Sequence, residues 1–281
     1  MSVGIFVLVL LAACLHAVWN ALVKGGADKD VSMAAVVIGQ GVCGGAVLPF
    51  VAAPAVECLP YLVLGIALHL GYQVFLLAAY RIGDLTQVYP IARGVAPLLV
   101  AAFSMLVLGV VLSAMELFAV AVIASGIMSL SFVVRSDGGA NRKAAILAVM
   151  TGCFIASYSI TDGIGARIAG TALGYYGWVA FGNAVTFSLY TRVLSPGLLT
   201  RTFAAWRVLI IGGVASFVAY AFVVYAFTHA PIALVTALRE TSIIFALMIG
   251  VFVLREPLNL AKVLSTMLTV FGAALLRFSK G

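Results

Sequence analysis

The sequence predicts an all-α integral membrane protein of ten transmembrane helices arranged as a five-plus-five inverted repeat. Three observations predict it: an apolar composition, a regular spacing of apolar runs, and a self-similarity of the two halves that pairs Arg93 with Arg239. The 281 residues are 64% hydrophobic and 9% charged, with a mean hydropathy of +1.22. A soluble domain carries about a quarter charged residues, so this composition belongs in a bilayer. A hydrocarbon core of about 30 Å takes about 20 residues of helix per crossing, which leaves no soluble domain of useful size.

Apolar runs broken by charge, Gly or Pro place the spans at 4–23, 33–53, 61–80, 86–108, 114–134, 144–162, 171–191, 207–228, 233–254 and 260–278. The first run contains Leu11-Ala12-Ala13-Cys14, which has the form of a lipoprotein cleavage box. No Lys or Arg precedes Lys24, however, so a retained helix is expected in place of a signal peptide. His16, Trp19, Asn20 and Lys24 follow at i, i+3, i+4 and i+8 and share one face of that helix. Such a polar face lines a transport cavity or hydrogen-bonds a neighbouring helix. In the second span Gly41 and Gly45 form a GxxxG, predicting close helix contact within the monomer or between subunits.

The third span presents His69, Tyr72, Gln73 and Tyr80 on one face as a second polar wall. His69 is a candidate proton relay or a structural hydrogen-bonded histidine. In the fourth, Pro90 and Pro97 flank Arg93-Gly94, and Tyr89 is the i−4 neighbour of Arg93. Two prolines predict a broken helix at a midplane site, or a kink that eases packing. The sixth span carries Tyr158 and Asp162, and the ninth Arg239 and Glu240. Each carboxylate is expected to neutralise an Arg or to carry a coupling proton. Adjacent helical residues point about 100° apart, so Arg239 and Glu240 are not expected to pair with each other. In the seventh span Tyr175 and Trp178 are read as an interfacial aromatic belt, with a substrate wall as the alternative.

An arginine in hydrocarbon costs several kcal/mol unless it meets a partner, water or an anion, so Arg93 and Arg239 are the leading site residues. They lie 146 residues apart, and 93–132 can be laid on 239–278 without a gap. The overlay pairs Leu108 with Leu254, Leu112 with Leu258, Gly126 with Gly272, Leu130 with Leu276 and Phe132 with Phe278. The repeats are 1–137 and 138–281, and an odd number of spans in each turns the second upside down. Each Arg then sits about 10 Å from its own entry face, and those faces are opposite, which predicts upper and lower contacts of one cavity.

The stretch Leu254-Arg255-Glu256-Pro257-Leu258, the short loops and the duplication resemble the EamA-type drug/metabolite transporter superfamily. The first-half counterpart, Gly109-Val110-Val111-Leu112, lacks the Glu. His16-Ala17 with Trp19-Asn20 and Lys24, Tyr89-Pro90-Ile91-Ala92-Arg93-Gly94, Leu238-Arg239-Glu240-Thr241-Ser242, and Tyr158 with Asp162-Gly163 are similar to one branch of it. That branch has His-Ala-x-Trp-Asn in its first helix. The resemblance implies movement of small metabolites across the cytoplasmic membrane, with some members tied to phosphonate use.

The expected function is therefore secondary transport of a small anionic or zwitterionic metabolite by alternating access. Expected substrate contacts are Arg93, Arg239, His16, Trp19, Asn20, Tyr89, His69, Gln73 and Tyr158, with Glu240, Asp162 and Lys24 as coupling or ion-pair groups. The alternative is an intramembrane enzyme acting on a lipid or isoprenoid phosphate, although no HExxH, GxSxG or Walker motif is present. No cofactor and no metal are expected, and the partners are substrate and bilayer, with a monomer or homodimer as the assembly. The net charge of +7 comes from residues scattered over short loops, which argues against nucleic acid. Cys14, Cys43, Cys58 and Cys153 have no CxxC spacing and read as packing residues. Basic residues concentrate in the loops opposite the termini, which places both termini outside by the positive-inside rule, whereas relatives are held to keep them inside.

Overall fold

In a computed structural model describing residues 1–26, 28–83, 85–132, 142–253, 255 and 260–278, the chain is helical throughout apart from short connections. Helices occupy each expected span: α1 Val3–Gly25, α2 Lys29–Val47, α3 Leu59–Ile82, α4 Leu85–Leu106, α5 Ala114–Met128, α6 Arg142–Ala169 and α7 Ala172–Leu194. A short α8, Leu198–Ala204, follows, then a π-helical turn, Val208–Gly212, that runs into α9, Gly213–His229. The ninth span is divided into α10, Ile232–Arg239, and α11, Ser242–Phe252, and α12 is Leu260–Phe278. Seven of the described segments are long and apolar enough to cross a membrane, including Val208–His229 and Ile232–Phe252, and α5 is a shorter apolar helix. The chain is an all-α integral membrane protein. Most of the Leu254–Leu258 turn and the 137/138 repeat boundary lie outside the described residues.

Helix starts follow local chemistry. Ser2, Asp28 and Thr171 cap α1, α2 and α7 through side-chain oxygens, and Ser113 with Glu116 forms a capping box on α5. Of the two readings of the prolines in the fourth span, the broken helix needs correction. α4 runs unbroken through Pro90 and Pro97, and the interruption falls instead in the ninth span at Glu240–Thr241, which has no proline. There the backbone bonds tighten to i→i−3, with Glu240 N–H donating to Ala237 O at 3.1 Å and Thr241 N–H to Leu238 O at 3.0 Å.

Packing pairs α3 with α6 and α1 with α9; α4 with α6 and α1 with α10 and α11; α3 with α7 and α2 with α9. α2 packs on α7, and α5 on α12. The last contact is made by two glycines. A Cβ on Gly126 would lie 3.2 Å from the Ser265 carbonyl oxygen of α12, and one on Gly272 would lie 3.0 Å from the Ala119 carbonyl oxygen of α5. Both positions need glycine for close backbone approach. In α2, Gly41 abuts Ala184 of α7 and Gly45 abuts Phe181, so the GxxxG serves contact within the monomer.

Candidate functional site

Two polar clusters lie buried where α1, α3, α4, α6, α9 and α10 converge. The first is centred on Glu240, held at the break between α10 and α11. Its Oε2 lies 2.6 Å from Arg93 Nε, and its Oε1 lies 3.8 Å from Arg239 Nε. Arg93, Arg239 and Glu240 are 5%, 2% and 1% exposed, so this is a charge triad closed off from solvent. Arg93 also donates Nη2–H to Ser242 Oγ at 3.1 Å and places Nη1 3.1 Å from His16 Nε2. Its guanidinium stands over the Tyr89 ring at 5.8 Å, within cation–π range.

His16 meets a second donor at its other nitrogen, with Trp19 Nε1–H 3.2 Å from Nδ1. Guanidinium and indole only donate, and a neutral imidazole has one acceptor nitrogen. His16 therefore satisfies one of the two donors at a time. Arg239 is less satisfied still, because its Nε and Nη2 have no hydrogen-bond partner among the described residues. Buried N–H groups without acceptors are rare and mark a place where an acceptor belongs.

The second cluster is centred on Asp162 of α6, which is fully buried. Its Oδ2 lies 2.9 Å from His69 Nε2 and accepts from Tyr220 OH at 2.8 Å, while Tyr175 OH lies between Oδ1 at 3.3 Å and the Tyr61 carbonyl oxygen at 3.2 Å and donates to one of them at a time. Tyr158 stacks on His69 with centroids 4.2 Å apart, and Tyr220 meets His69 edge-on at 5.4 Å. Both rings also lie beneath Arg239, whose Cζ is 6.0 Å from the Tyr158 centroid and 5.9 Å from that of Tyr220. Two aromatic side chains thus join the clusters.

Arg93 and Arg239 both reach one carboxylate, that of Glu240. Two expectations change here. Arg239 and Glu240 come within ion-pair distance, 3.8 Å, because both side chains are long enough to bridge the divergence of adjacent helical positions. Tyr175 belongs to no belt, being fully buried against Asp162, whereas Trp178 one turn on is 42% exposed.

The structure brings His16, Trp19, Tyr89, Arg93, Arg239 and Glu240 into the first cluster, and His69, Tyr158 and Asp162 into the second. Asn20 turns its amide back to His16 O at 2.7 Å. Gln73, one turn from His69, is buried with Oε1 lacking a hydrogen-bond partner among the described residues. The Lys24 side chain lies outside what the structure describes. Ser242 and Tyr220 lie at the site although spacing did not single them out, and Tyr175 lies there although spacing gave it another role. Their signal is weak in sequence, since a Ser in an apolar helix commonly back-bonds to its own backbone and a Tyr reads as aromatic packing.

Residues 142–278 match the family model described as the EamA-like transporter family. No curated protein matches the chain. Among solved structures 29 chains match, and one of them, described only as the crystal structure of a protein, aligns over 100% of both chains with a TM-score of 0.76 at 18% identity. At that identity the likeness speaks for the fold alone.

Proposed function

We propose that this multi-pass membrane protein, a transporter of the drug/metabolite type by its EamA-like match over 142–278, carries a small anionic or zwitterionic metabolite across the cytoplasmic membrane. The observation that carries the reading is the buried triad: two guanidinium groups share one carboxylate, and Arg239 Nε and Nη2 have no acceptor among the described residues. A carboxylate or phosphonate supplies that acceptor and pairs with the positive charge of the first cluster.

The proposed architecture is ten spans in two inverted repeats, 1–137 and 138–281, that rock about the central site. The packing supports it. Exchanging each of the first five spans for its counterpart turns α3 on α6 into α9 on α1, and α4 on α6 into α10 and α11 on α1. Gly126 and Gly272 support it further, since the carbonyls they approach, Ala119 and Ser265, are also 146 residues apart. His16, Trp19 and Tyr89 orient the Arg93 end of the site, and Tyr158 walls the Arg239 end.

Thermal stabilisation of purified protein by a library of small anions, zwitterions and neutral metabolites tests the reading. Anions are expected to stabilise most, and Arg93→Ala and Arg239→Ala each to weaken that binding at least tenfold. A neutral or cationic ligand that binds best and survives both changes sinks it.

A further inference from the structure

We infer that the His69–Asp162 pair is a proton-binding site separate from the anion site, and that the protein is an anion–proton symporter. This rests on the anion reading above. The argument is one of buried charge. In the first cluster Arg93 and Arg239 face Glu240, leaving one positive charge. In the second, Asp162 accepts from Tyr220 and from His69 and lies within reach of Tyr175, leaving one negative charge while the imidazole is neutral. The empty site is neutral as a whole.

Arrival of a monoanion between the arginines upsets that balance, and an uncompensated charge buried in a membrane protein is strongly unfavourable. One proton restores it. The proton adds to Nδ1 of His69 while Nε2–H continues to donate to Asp162, so the pair passes from one negative charge to none. Glu240 is a poorer acceptor for this proton because two guanidinium groups already contact it. Tyr158 and Tyr220 keep the sites distinct yet close, since both rings touch His69 and both lie under Arg239.

The other ionisable groups around the pair are Tyr72 on α3 itself, Tyr158 on α6, Tyr175 and Tyr176 on α7, Tyr220 on α9, Arg93 on α4, and Arg239 with Glu240 beyond the rings. Of the side chains in contact with Asp162 among the described residues, His69 alone carries a second ring nitrogen that can take up a proton. Anion and proton then favour each other's binding to one state, which is the thermodynamic condition for moving together.

The test uses full-length protein in liposomes, with radiolabelled methylphosphonate, acetate, pyruvate and glutamate as probes. Wild-type protein is expected to concentrate a probe when protons flow in the same direction, and to lose that on addition of a proton ionophore. Its apparent affinity is expected to fall about tenfold per pH unit on the alkaline side of the titration, as one proton per anion requires. His69→Gln and Asp162→Asn are expected to abolish concentrative uptake and to remove the pH dependence of probe binding, a signature that a purely structural role would not move. Thermal unfolding in detergent shows that the variants are folded, and a folded variant that keeps the wild-type pH dependence overturns the inference. Wild-type flux indifferent to the proton gradient overturns the inference, as does His69→Gln protein that still concentrates the probe. Absence of flux of every probe in every mode overturns the anion reading itself, and the inference with it.

Discussion

Glu240 stands 2.6 Å from Arg93 and 3.8 Å from Arg239, so one carboxylate from the break in the ninth span neutralises part of two buried guanidinium groups. The three residues come from α4, the end of α10 and the turn that follows it, and the triad therefore ties the two halves of the chain together.

Removing that carboxylate leaves two buried cations facing each other. Glu240→Gln is expected to destabilise the protein by about 3–5 kcal/mol, the range for breaking a buried ion pair by losing one partner. Thermal unfolding in detergent measures it. A midpoint within about 1 °C of wild type shows that the charge is met elsewhere.

Arg167 near the end of α6 donates Nε–H to Phe227 O at 2.8 Å and Nη2–H to Ala230 O at 2.9 Å. These carbonyls close the end of α9, where the helix has no further N–H to offer. Arg167→Gln is expected to lower stability by about 1–2 kcal/mol, with faster amide exchange at Ala230 and Ile232. Exchange that rises evenly along the chain, with no local excess there, excludes a capping role.

Gly126 and Gly272 make reciprocal close contacts between α5 and α12. Gly126→Val and Gly272→Val are each expected to cost about 1–3 kcal/mol by overpacking, and by similar amounts because each Cβ would meet a backbone carbonyl of the other helix, at 3.2 and 3.0 Å. Unfolding midpoints of the two variants give the comparison. One glycine tolerating valine while the other does not breaks the equivalence.

Arg93, Arg239, Asp162 and Glu240 were legible as buried charged groups because a charged residue in an apolar run is conspicuous on its own. Their partners were not. Arg93 meets Glu240 across 147 positions of sequence, and Asp162 meets His69 across 93. Helical spacing says which residues share a face and is silent on what that face touches. Tyr175 illustrates the limit: its spacing from Trp178 fits a belt, yet its hydroxyl comes within reach of Asp162. The prolines of α4 misled for a related reason. A missing N–H weakens a helix locally, but surrounding packing determines whether it opens, and here α4 stays closed while α10 and α11 separate.

The sequence by itself determined that the chain is helical and membrane-embedded, where its apolar segments lie, and which charges they carry. Those properties follow from the requirement that each backbone group in a bilayer be satisfied within its own helix, a constraint met one segment at a time. The tertiary structure alone decided that the charged residues form two clusters joined by Tyr158 and Tyr220. Ion pairing depends on distances of a few ångströms between helices remote in sequence, and only packing sets those distances.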